Sequence, residues 1–276
     1  MQTEYNLLDK GYLKYIGHYG SDKEIVQAAR ISTGGTNKSD EEDRKLINYL
    51  MKMRHSSPFE MADITFEVQA PIFVCREWMR HRVFSYNELS GRYSEMPDLF
   101  YVPDDSRYGK QGQINKQGTD KLLDPEIRTK LKWDIENEQI DVRTAYEQKL
   151  ALGLSREISR INLPLSQYSR MCIKGNLLNW FRFIDLRAHQ NAQYEIRVYA
   201  EKVLDILKEL FPWSTYAFIN YWFDAKTIYP TEQHVIGCII QRFKDFNDVR
   251  NTIFEDILRM FSESEKKEFI KKFDIK

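Results

Sequence analysis

Apolar residues recur at helical spacing in several stretches of the chain and at strand spacing in one. Ser21 with Glu24, and Ser39 with Glu42, each set a hydroxyl three residues before a carboxylate. That spacing lets side chains satisfy the free N–H groups of a helix start. The helix opened by Ser39 carries Leu46, Ile47, Leu50 and Met51 on one face and runs toward His55. In ITFEVQ, Ile64, Phe66 and Val68 alternate with polar residues, the period of a half-buried strand. Pro71 stands where a first-turn proline fits and opens a helix through PIFVCREWMRHR. Ile72, Cys75 and Met79 then share one face of it, and Arg76, Glu77 and Arg80 another.

Asp104 to Asp120 is polar and contains glycines, which predicts a mobile surface loop. A long charged helix is expected from about Asp124 to Leu152, ended by Gly153. A helical block follows from Asn176 to Leu210, with Leu177, Phe181, Ile184, Val203, Ile206, Leu207 and Leu210 as its core positions. Beyond Pro212 the pattern predicts further helices, and Ser262 with Glu265 repeats the capping spacing. Strands are expected to be few and short. The fold class is therefore α+β, with helices packed against a small sheet.

At 276 residues the chain is long for one domain and short for two, so one domain with an appendage is expected. Lys+Arg and Asp+Glu both total 41, and this zero net charge argues against a protein that coats nucleic acid. An anionic partner must then be met by a local cluster. Cys75, Cys172 and Cys238 are far apart, which argues against a disulfide framework and fits a reducing cytoplasm. The N-terminal stretch has no basic-then-apolar leader, and no apolar run is long enough to span a bilayer. The histidines show no metal-ligand spacing, so no metal site is expected.

The local cluster lies in RHRVFSYNELSGRY, Arg80 to Tyr93. Burying Arg80, His81 and Arg82 without a partner would cost several kcal/mol per charge, roughly, so they face either water or an anion. A basic triplet at a helix end can also simply complement the helix dipole. Gly91 lets backbone N–H groups approach a ligand, and Ser90 and Arg92 flank it with a hydroxyl and a fork of donors. Together they suit a phosphate. Ser90 has no neighbouring base that would make it a nucleophile. Cys75, on the apolar helix face, reads as an inert core thiol.

Arg80-His81-Arg82 followed after seven residues by Ser90 resembles the signature of the flavin-dependent thymidylate synthases. Other blocks agree in order: AARIS (Ala28–Ser32), RHSSPFE (Arg54–Glu60), REISRINLPLSQYSR (Arg156–Arg170) and LRAHQNAQYEI (Leu186–Ile196). The resemblance runs from about residue 5 to 220. It implies a thymidylate synthase complementing fold with a small, mostly antiparallel sheet over residues 1–220, and leaves 221–276 as a helical C-terminal extension. The implied activity is methylation of dUMP with methylene-tetrahydrofolate as carbon donor and FAD, reduced by NADPH, as hydride carrier. A homotetramer with sites shared between subunits is implied as well.

Carried over position by position, the resemblance makes His55, Ser57, Arg80, His81, Arg82, Asn87 and Glu88 candidates for FAD. A helix-terminal role against the dipole is the alternative for His55. Glu77, Met79, Arg80, Glu88, Leu89, Ser90, Gly91, Arg92, Arg160 and Arg187 are the dUMP candidates, with Arg160 expected from a neighbouring subunit. Arg187 is the candidate catalytic residue. A guanidinium that stays charged can stabilise negative charge on the N3–O4 side of uracil and so make C5 electron-rich. Arg182, Leu178 and His189-Gln190-Asn191 depart from residues common in the family. These departures bear on the FAD adenine contacts, for which Asn176, Asn179 and Arg182 are candidates. Two rivals remain: another flavin-dependent transfer to C5 of a pyrimidine nucleotide, and a nucleic-acid module that stacks bases on Tyr86 and Tyr93.

Overall fold

The structure is a computed structural model and describes residues 2–35, 38–112, 118–244 and 267. Two compact units divide the chain, Met1–Asp224 and a second beginning at Ala225. In the first unit the elements run β1 (Glu4–Leu7), β2 (Gly11–Tyr19), α1 (Asp22–Ile31), α2 (Asp40–Lys52), β3 (Asp63–Pro71), α3 (Ile72–Trp78) and β4 (Ser85–Glu88). They continue with β5 (Gly109–Gln111), β6 (Thr119–Leu122), α4 (Pro125–Ala151), α5 (Arg156–Ser159), β7 (Tyr168–Asn176), α6 (Leu177–Arg187), α7 (Tyr194–Leu210) and α8 (Pro212–Phe218). A π-helical turn at Ile219–Phe223 closes this unit, and α9 (Pro230–Lys244) is the described helix of the second.

Five strands form one sheet in the order β1-β2-β3-β7-β4, every neighbour antiparallel. Ile64, Phe66 and Val68 of β3 are fully buried, as their alternation requires. Helices α6 and α7 present Leu177, Phe181, Ile184, Val203, Ile206 and Leu207 to the same core. Each large side chain so withdrawn from water stabilises the fold by roughly 1.5–3 kcal/mol. Trp180 ties α6 to the sheet by donating to the carbonyls of Ile64 (3.2 Å) and Gly175 (3.1 Å). A Cβ on Gly175 would stand 2.1 Å from the Phe84 ring. Glycine there lets Phe84 lie on β7 with its ring tilted against Trp180 at 4.4 Å, which fixes the chain just before β4.

Several expectations are corrected. The strands are neither few nor short: β2, β3 and β7 each have nine residues. Pro71 ends β3 rather than standing inside a helix, because its residue pairs with Tyr168 of β7. Helix α3 stops at Trp78, so Arg80-His81-Arg82 lies in the turn beyond it. The block 176–210 is two helices, since residues 188–193 break the ladder between α6 and α7. Residues 104–120 are not a loop throughout: a 3-10 turn (Asp105–Arg107) leads into the β5–β6 ribbon. Ser39 and Glu42 make the full capping box, whereas Ser21 caps the N–H of Lys23. Ser262 and Glu265 lie outside the described residues, as does the side chain of Cys238.

Candidate active site

Arg187 is the last residue of α6, and its half-buried side chain reaches Glu77 of α3 and the turn beyond it. Its Nε donates to His81 Nε2 at 3.0 Å. Its Nη1 donates to Glu77 Oε2 at 2.9 Å and its Nη2 to the Glu77 backbone carbonyl at 3.2 Å. These bonds use one N–H of each Nη, so the fork is held in place while the second N–H of each has no partner among the described residues. His81 is buried, and accepting from Arg187 requires its Nε2 to be unprotonated. Burial, with Arg187 adding to it, pushes the imidazole down to about 4. The Glu77 carboxyl is pushed up by burial and by the charge of Glu195, against the pull of Arg187.

The backbone around this trio is braced from β4. The Tyr86 hydroxyl donates its one proton between the carbonyls of Trp78 (2.7 Å) and His81 (2.9 Å), and so clamps the middle of the Arg80–Arg82 turn to the end of α3. The same clamp, with half of the ring buried, removes Tyr86 as a free stacking platform for nucleic-acid bases. Tyr93 is exposed. Arg80 and Arg82 are exposed and have no ion pair among the described residues, and Met79 is also exposed.

A second group forms after β4. Arg160, in the 3-10 turn Arg160–Asn162, lies so close to Gly91 that a Cβ there would be 2.8 Å from its Cδ and 2.9 Å from Met96 Sδ. Only glycine leaves room for that guanidinium against the backbone. The Ser90 carbonyl accepts from Tyr93 N (3.1 Å) and Ser94 N (3.0 Å), and Ser90 Oγ accepts from Arg92 N (3.3 Å). Arg92 Nε donates to Glu157 at 2.6 Å, both side chains being more than half exposed. Arg160, expected from a neighbouring subunit, thus stands beside Ser90–Arg92 of its own chain. Among the described residues no hydrogen bond or ion pair joins this group to the Arg187 group. Glu88 accepts from Ser169 Oγ (2.6 Å), Leu89 N continues the ladder to Arg170 O (2.8 Å), and Asn87 is exposed on β4.

The third group is a face of α6. Asn176 caps the helix by accepting from Asn179 N (2.9 Å), Asn179 Nδ2 donates to Val83 O (3.3 Å), and Arg182 donates to Asn179 Oδ1 (3.3 Å). The turn after Arg82 is thereby tied to α6. Leu178 points into the core and carries no polar role. His55 and Ser57 follow α2. His55 N bonds to Leu50 O (2.9 Å) and Arg54 N to Met51 O (3.2 Å), the Schellman pattern of a helix end. Arg54 therefore takes the left-handed conformation, φ 58°, which costs a non-glycine residue about 1 kcal/mol or more. His55 stands edge-on to the Tyr49 ring at 5.8 Å, and Ser57 opens the 3-10 turn Ser57–Met61. Cys75 is not a candidate nucleophile, because its thiol is buried and pushed up by burial.

Residues 14–213 match the family model described as thymidylate synthase complementing protein. The flavin-dependent thymidylate synthase of Wolbachia pipientis wMel is 42% identical over 241 residues, covering 87% of this chain and 85% of the relative. The chain belongs to the flavin-dependent thymidylate synthase family. It is an enzyme of that class. The Thermus thermophilus flavin-dependent thymidylate synthase is 43% identical over 227 residues, 82% of each chain. Among solved structures, the UMP/dUMP methylase PolB from Streptomyces cacaoi bound with 5-Br dUMP aligns with a TM-score of 0.70 at 34% identity, covering 77% of this chain and 96% of that one. The family's sheet and helices are thus those described above. Sequence reasoning did not find Glu157, Ser169 or the Tyr86 clamp. Glu157 lies inside REISR, but nothing in its spacing announces a partner in Arg92.

Proposed function

We propose that the chain converts dUMP to dTMP, taking the carbon from methylene-tetrahydrofolate and the hydride from FAD reduced by NADPH. The observation that carries this reading is the Arg187 fork, fixed by Glu77 and His81 with one N–H free on each Nη. Two adjacent acceptors, N3 and O4 of a uracil bearing negative charge, match those two donors. A guanidinium already oriented needs no reorganisation as charge develops, and the stabilised charge makes C5 the nucleophile. His81 stays neutral in this environment, so it accepts from Arg187 instead of repelling it.

Arg160, Ser90, the Gly91 backbone and Arg92 supply the cations and donors for the nucleotide phosphate, with Arg92 leaving Glu157 to meet it. On this reading the two groups complete one nucleotide site across the subunits of a cytoplasmic homotetramer. The exposed, unpaired Arg80 and Arg82, with the polar series Asn176, Asn179 and Arg182, suit FAD, whose diphosphate needs cations and whose adenine needs amides. His55, Ser57, Asn87 and Glu88 border that side. FAD, when bound, supplies the hydride that completes the methyl group. The test is anaerobic: reduced, flavin-loaded enzyme is mixed with dUMP and methylene-tetrahydrofolate, alone and together. Flavin reoxidation only with both supports the reading, and reoxidation indifferent to them refutes it.

A second reading concerns the sugar. PolB is named a UMP/dUMP methylase, and its structures hold 5-Br dUMP in one and 5-Br UMP in the other. Acceptance of UMP by this chain is tested by offering each nucleotide separately.

A further inference from the structure

We propose that Trp222 is a positioning residue for the flavin side of the site, acting through Arg54 on the turn that presents His55. The inference rests on the reading above that His55 borders the flavin. Arg54 occupies a position where helices usually end in glycine, and it holds φ 58° with a long side chain. What compensates is visible: its guanidinium carbon lies 4.2 Å from the centroid of the Trp222 ring. A cation stacked at that distance on an indole is attracted by the ring's electron-rich face. The turn therefore keeps its shape because a side chain from the far end of the unit stands under it.

Trp222 is itself anchored on two sides. The Asp185 carboxylate of α6 lies beside it, a group that burial pushes up and that Trp222, Arg54 and His189 pull back down. Its ring meets Phe218 edge-on at 5.9 Å, at the margin of the core. Asp185 sits between Arg182 and Arg187 on α6. One indole thus joins the α2 end, the α6 face and the π-helical turn Ile219–Phe223. These elements enclose a cleft of about 130 Å³ lined by Arg54, His55, Ser56, Arg182 and the Trp222 indole, beside apolar side chains that include Leu178. Two guanidinium groups, an imidazole and a hydroxyl on one small cleft suit a polar, anionic portion of a flavin nucleotide, and the indole sets their spacing.

The test uses the full chain and FAD as the probe. FAD affinity, the KM for dUMP and the melting temperature are measured for wild type, Trp222→Phe, Trp222→Ala, Arg54→Gly and the Trp222→Ala/Arg54→Gly pair. Trp222→Ala is expected to weaken FAD binding about tenfold, with the dUMP KM changed less than about twofold. Trp222→Phe, which keeps a ring and loses the N–H, should fall between it and wild type. In the Arg54→Gly background, glycine holds the left-handed turn without a ring beneath it, so removing Trp222 should cost less than about twofold. Equal costs in both backgrounds, or FAD affinity and dUMP KM moving together, overturns the proposal. If Trp222→Ala does not fold, the Phe variant with and without Arg54→Gly decides in the same way. A wild type that binds no FAD sinks the reading beneath. A wild type that binds FAD, with Trp222 variants that bind it equally, sinks this inference alone.

Discussion

Replacing His81 by glutamine should flatten the acid side of the stability profile. In the fold the imidazole is kept neutral, pushed from 6.5 down to about 4 by burial and by Arg187 at 3.0 Å. Between those values the unfolded chain binds more protons than the folded one. The stabilisation is therefore complete above about pH 6.5 and is lost as pH falls toward 4. Going from about pH 7 to about pH 5, this one group removes about 2 kcal/mol. Glu77 works the other way, because burial raises its carboxyl above the ordinary value and its ionisation opposes folding as pH rises. The wild-type slope is thus a sum of opposed contributions, with Asp185, also raised by burial, on the side of Glu77. Glutamine keeps an acceptor for Arg187 and cannot be protonated, so His81→Gln leaves the Glu77 contribution and deletes the other. Urea unfolding of both proteins at the two pH values isolates it. The wild type should lose about 2 kcal/mol more than the variant on acidification. Equal losses would mean that His81 is not held neutral against Arg187.

Arg187→Ala should lower turnover by about a hundredfold or more while FAD stays bound, and Arg187→Lys should not restore it, because a point charge cannot reproduce the fork. Undiminished steady-state turnover in either variant would remove the catalytic role. Arg92→Ala should raise the KM for dUMP about tenfold, whereas Glu157→Gln, which frees Arg92 from its 2.6 Å partner, should not raise it. An unchanged KM in Arg92→Ala would end the phosphate assignment. Gly91→Ala should also weaken dUMP binding severalfold with little change in melting temperature. The added methyl meets only the flexible Arg160 and Met96 side chains, at 2.8 and 2.9 Å, and Arg160 must move. A large loss of stability with normal dUMP binding would contradict this.

The helices were legible where one face was apolar and a cap stood at the start, as in α2 with its Ser39–Glu42 box. Strand β3 was legible because one of its faces is buried in the core and the other only partly covered, so its alternation is clean. Strand β7 was not assigned, although Met171 and Ile173 alternate with the exposed Arg170, Cys172 and Lys174. Its first residues, Tyr168 and Ser169, are both buried and blur the period. The motif from Arg80 to Arg92 named its residues, but not their partners. His81 was expected at the flavin, but nothing local announced that its Nε2 accepts from Arg187, 106 residues later. That contact depends on where α6 ends relative to α3, a tertiary fact with no local signal. The Arg54–Trp222 stack was hidden for the same reason: an arginine in a glycine's position looks like an ordinary helix end until the ring beneath it is seen.

The central claim is that oriented guanidinium groups make C5 of a uracil nucleotide electron-rich enough to take up one carbon, which a hydride then completes to a methyl group. The most direct measurement is the mass of the nucleotide recovered after incubating purified enzyme, FAD, NADPH, methylene-tetrahydrofolate and dUMP, with UMP in a parallel tube. The account predicts that dUMP gains one CH₂ and that Arg187→Ala leaves it unchanged. NADPH consumed over unaltered dUMP, or an equal product yield from Arg187→Ala, would contradict it.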